Sequence, residues 1–154
     1  MNEALSQLAD DFFKNSLNSS PTSAIMRGYK GYFDQIEELT ETKFDQDLRD
    51  LEKFEKRLNE IDFNNLSNKE KVTHGMLEYA FGSNKDSLLD KSWEFGAGVS
   101  GFTGYLIDYN QQMFIPDLES SDLLLKRLEL YNQFFNEVSS VQKKGLDQNR
   151  VATE

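Results

Sequence analysis

FDQDLRDLEKFEKRLNEIDFNNLSNKEKVTHGMLEYAF, residues 44–81, decides the fold. In its first half Phe44, Leu48, Leu51, Phe54, Leu58 and Ile61 recur every three or four residues, with charged residues between them. That period draws one apolar stripe along a 3.6-residue helix and leaves the opposite face to water. Asp62-Phe63-Asn64-Asn65-Leu66 reads as an elbow. Ser67-Asn68-Lys69-Glu70 then has the Ser-x-x-Glu form of a capping box, in which each end side chain satisfies a backbone N–H of the other residue. The second half predicts another stripe through Val72, Met76, Leu77 and Ala80 or Phe81, with Gly82 as its stop.

Outward from this hairpin the chain continues to read as helix. Leu5, Leu8, Phe12 and Leu17 share a face over 3–17. Ser20-Pro21 predicts an N-cap and first helical residue for a short helix ending at Gly28. The aromatic-rich stretch 29–39 is irregular, with a turn of helix expected at 33–38. A further helix is expected at 86–95, carrying Leu88, Leu89 and Trp93. The last helix is expected to start at Ser120 or Ser121 and to stop at Gly145. Its stripe is Leu124, Leu128, Tyr131, Phe135 and Val138, flanked by Leu125, Phe134 and Val141. No strand pair is convincing. The expectation is an all-α fold of antiparallel helical hairpins, five to six helices in a single region spanning 1–154, with a Gly-rich loop at 96–104.

Composition narrows the chemistry. Nineteen aromatics in 154 residues suffice for a real core, and the absence of cysteine removes disulfides, thiolate metal sites and thiol nucleophiles. A net charge of −10 repels phosphate backbones and argues against nucleic acid as a partner. No apolar run approaches a membrane span. The N-terminus MNEALSQLADDFF has no secretory pattern as written, which points to the cytoplasm, while a start further upstream would leave export open.

Candidate chemical groups are few. His74 is the only histidine, and one His with Glu78 at i+4 does not make a zinc site or a triad. Gly96, Gly98 and Gly101 have the Gly-x-Gly-x-x-Gly form but lack the strand–loop–helix setting that gives it meaning, so the segment reads as a flexible or closely packed loop. Asp10-Asp11, Glu37-Glu38 and Asp45/Asp47/Asp50 read as solvated acidic faces. The residues supply no catalytic, cofactor-binding or metal-ligating set.

The order of features resembles the bacterial domain of unknown function 885 family. The resemblance is carried by Phe12-Phe13 followed by Pro21, Ala24 and Gly28; by Leu58, Ile61 and Asp62; by Leu66-Ser67-Asn68-Lys69-Glu70; and by Arg127-Leu128, Gly145 and Arg150-Val151. It implies a mostly helical, zinc-dependent peptidase-like hydrolase whose His-Glu-x-x-His motif lies far toward the C-terminus. This chain has no such motif and so resembles an N-terminal segment, cut off before the metal. Zinc is then expected only in a full-length parent, whose remainder would be this chain's partner, with peptide as substrate. Tyr105, Gln111 and Gln112 are the residues that the resemblance would place along a cleft. The alternative is a self-contained acidic helical module that binds protein or peptide without catalysis.

Overall fold

A computed structural model of the chain describes residues 2–95, 106, 108–110 and 112–150. Among them are six α-helices and no strand: α1 (Glu3–Ser19), α2 (Pro21–Met26), α3 (Glu41–Asn59), α4 (Asn68–Leu89), α5 (Leu118–Glu129) and α6 (Tyr131–Asp147). The all-α expectation holds. The chain forms two compact units, one of Met1–Ser16 with Glu41–Lys91 and one of Leu17–Thr40 with Ser92–Glu154.

The first unit is the hairpin of the opening stretch with α1 laid against it. Leu51 and Leu58 of α3, Leu77 and Phe81 of α4, Leu66 of the elbow, and Leu5 and Leu8 of α1 form one buried cluster. Each large apolar side chain so buried contributes about 1.5–3 kcal/mol. Phe12 and Phe54, partly buried, pack against it at Phe81, with Phe12 edge-on to Phe54 at 5.5 Å and to Phe81 at 4.8 Å between centroids. The capping box is present: Ser67 N–H donates to Glu70 Oε2 at 2.8 Å, and Glu70 N–H donates to Ser67 Oγ. Two expectations for α4 fail. The helix does not stop at Gly82 but runs to Leu89, because Gly82 has no positive φ; the chain leaves the helix at Asp90, followed by Lys91 with φ +51°. Val72 and Met76 are exposed rather than packed. The stripe through Leu77 and Phe81 wins because it places Phe81 against the rings of α1 and α3.

In the second unit the expected last helix is two. Asp117 rather than Ser120 or Ser121 caps α5, accepting from Ser120 N–H at 2.8 Å. Helical bonding is interrupted at Leu130, which ends α5 and precedes α6. Of the expected stripe Leu128 and Phe135 are exposed and Val138 is buried; the expected flanks Phe134 and Val141 are buried too, and Arg127, seven residues before Phe134, continues their face into α5. Gly145 does not stop α6. A Cβ there would lie 2.6 Å from the carbonyl oxygen of Glu94, so glycine is what lets the helix reach the single turn at Ser92–Phe95. That turn replaces the second half of the helix expected at 86–95. The true stop of α6 is a Schellman motif: Asn149 stands at φ +57°, Arg150 N–H bonds Gly145 C=O at 2.8 Å, and Asn149 N–H bonds Leu146 C=O at 2.9 Å. The Gly-rich segment 96–104 lies outside the described residues.

Candidate functional site beside the second helix

The Pro21…Ala24…Gly28 pattern builds a short helix with a defined start and stop. Pro21 occupies the first turn, where its missing N–H costs nothing. Gly28 stands at φ +88°, and the bonds Tyr29 N–H to Ala24 C=O (3.1 Å) and Gly28 N–H to Ile25 C=O (2.8 Å) close a second Schellman motif. Ser20 holds the N-cap position, yet its side chain does not cap the helix. Glu37 does so from 15 residues further on, its Oε1 accepting from Thr22 N–H at 2.9 Å. The helix turn expected at 33–38 is instead a 3-10 turn at Lys30–Tyr32, which leaves the following backbone free to bring Glu37 back to α2.

Glu37 is thus no solvated acid. Its Oε2 accepts from Thr22 Oγ1 at 2.7 Å and lies 3.9 Å from Nη2 of Arg127, whose side chain is 0% exposed. Arg127 also donates to Thr22 Oγ1 and to the Gln35 carbonyl. A buried guanidinium needs partners, and three groups from the 22–37 segment meet its two terminal nitrogens, while its Nε has no hydrogen-bond partner among the described residues. Arg127 appears in the sequence only as half of the Arg-Leu pair, and nothing in its local pattern marks it as buried.

With α2 and the following segment pinned in this way, a cavity of about 440 Å³ opens beside them. Buried Ile25 and Phe33 form its apolar side. Phe114 and Pro116 line it from the segment before α5, and Phe114 is 80% exposed. Arg27, Lys30 and Gln112 bring polar groups. Lys30 Nζ lies 2.6 Å from Asp117 Oδ2. That ammonium, with the Ser120 hydroxyl and N–H beside it, holds the Asp117 carboxyl well below the usual carboxylate range.

Of the residues that the resemblance would set along a cleft, Gln112 lines this cavity, while Tyr105 and Gln111 lie outside the described residues. Sequence reasoning missed Arg27, Phe33 and Phe114, although the helix stop at Gly28 and the aromatic stretch after it were the available signals. His74 packs edge-on to Phe63 at 5.2 Å between centroids. Among the described residues no group of three His, Cys, Asp or Glu could hold a metal ion, and no helix is long and apolar enough to cross a membrane.

Among the described residues the fold is all-α, and the second unit carries a cavity lined by both apolar and polar side chains. The family described as "Bacterial protein of unknown function (DUF885)" matches residues 21–154, and the chain belongs to it. No curated protein and no solved structure matches the chain.

Proposed function

We propose that this chain is the N-terminal helical part of a zinc-dependent, peptidase-like hydrolase and that the cavity beside α2 belongs to one wall of its substrate cleft. The observation that carries the reading is the cavity itself. Its volume lies within the range of roughly 300–1,000 Å³ typical of small-ligand sites. It joins an apolar side to a few polar groups, the combination that orients a peptide segment. Family membership and the position of Gln112 support it. The described residues do not fit zinc, so on this reading the metal and the general base come from sequence outside this chain, and no catalytic step belongs to the residues present. Reading the gene beyond Glu154 tests the proposal: a His-Glu-x-x-His motif downstream is expected, and a stop codon with no such motif would contradict it.

A second reading, a helical binding module without catalysis, is favoured by one observation. Val72, Met76 and Tyr79 form an exposed apolar ridge at i, i+4 and i+7 on α4. Helix ridges of this kind are read by grooves on partner proteins. Peptide hydrolysis by the natural gene product separates the two readings.

A further inference from the structure

The charges around the cavity are unequal in a way that the cleft-wall reading does not use. Lys30 is held by Asp117, and Asp117 is shared between Lys30 and the cap of α5. The charge of each is thereby compensated within the pair. Arg27 differs: among the described residues its guanidinium makes no hydrogen bond or ion pair, in a chain with 27 acidic side chains and 17 basic ones. Its backbone is nevertheless fixed, since Arg27 is the C-cap of α2 and its N–H bonds Ser23 and Ala24 carbonyls at 3.1 Å. The cavity is therefore lined by one cation that has no acidic partner among the described residues, carried on a backbone held at the end of α2. Phe114 stands largely open to solvent at the same cavity.

We propose that this cavity binds a small organic carboxylate carrying an apolar group, with Arg27 taking the carboxylate and Ile25, Phe33 and Phe114 receiving the apolar part. Guanidinium is the side chain best matched to a carboxylate, because its planar fork offers two parallel N–H donors. Gln112 adds an amide on the same lining. Two sources carry this chemistry: the C-terminal residue of a peptide with an apolar side chain, and a free medium-chain fatty acid. The peptide source rests on the cleft-wall reading; the carboxylate pocket itself does not.

The test is an amide-resolved NMR titration of the 154-residue chain with N-acetyl-phenylalanine, N-acetyl-phenylalaninamide and octanoate. The acid should give saturable shifts at 26–30, Phe33 and Gln112, and the uncharged amide should bind at least about tenfold more weakly. Arg27→Gln should abolish that difference with an unchanged melting curve, since the side chain is exposed and makes no bond among the described residues. Raising salt should weaken the acid and leave the amide alone. Octanoate matching the N-acetyl acid assigns the pocket to free acids; a clear preference for the N-acetyl acid assigns it to peptide C-termini. Equal binding of acid and amide, an acid preference that survives Arg27→Gln, or no saturable shift with either acid would overturn the proposal. Such a failure leaves the cleft-wall reading to its own test on the gene product, and loss of that reading leaves the acid preference measurable here.

Discussion

Arg127 carries the largest single-residue consequence in the second unit. Its guanidinium is buried and bonds Thr22 and the Gln35 carbonyl, with Glu37 at 3.9 Å. Removing it strands a nearly buried carboxylate and a backbone acceptor. Arg127→Ala should therefore lower unfolding stability by about 3–5 kcal/mol in urea denaturation. Arg127→Lys should recover little, because a single ammonium cannot reach groups spread around a planar fork. Gly145 gives a second expectation with the opposite sign to helix propensity. In an open helix Gly→Ala gains up to about 1 kcal/mol. Here the new Cβ would meet Glu94 oxygen at 2.6 Å and Glu94 Cβ at 2.9 Å, and the oxygen is backbone that cannot turn aside. Gly145→Ala should cost about 1–3 kcal/mol by the same assay. Neither residue was legible in the sequence. An Arg that follows a Lys on a helix reads as a wet position, and a Gly near the end of a pattern reads as a stop; only the partner across the fold reverses both.

At the scale of elements, helix starts and stops were legible wherever the signal is local. The capping box of α4 and the Pro21-to-Gly28 frame of α2 are each completed within a few residues, and both form as the sequence implies. Boundaries set by distant groups were not legible, such as the Glu37 carboxylate at the start of α2. Nor was the interruption at Leu130, across which the buried face continues from Arg127 to Phe134, Val138 and Val141. The cap of α4 makes a pH expectation. Glu70 accepts from the Ser67 hydroxyl and N–H and from Asn2 N–H, and these bonds lower its carboxyl from 4.5 to about 2. A carboxyl whose folded value is depressed stabilises fully above its unfolded value and loses that contribution as pH falls toward the folded one. Protection of the first turn of α4 in hydrogen exchange should accordingly weaken between about pH 5 and 2. Glu70→Gln should flatten that dependence over the same window.

For the whole molecule, composition spoke clearly and the site only in part. The helical period gave the all-α class, and the order of motifs gave the family, which matches residues 21–154. Of the lining residues the resemblance singles out Gln112 alone, and no local pattern joins Arg27 and Phe33 to Phe114. The central claim is that this cavity is part of a substrate cleft in a larger zinc hydrolase. Its most direct test is steady-state peptide hydrolysis by the natural gene product, with bound zinc measured alongside. Gln112→Ala and Phe114→Ala should each raise KM by about 3–10-fold with zinc content unaltered, as expected for lost substrate contacts remote from the chemistry. Hydrolysis with KM unmoved by both substitutions, or a gene product that neither holds zinc nor cleaves peptides, would contradict the account.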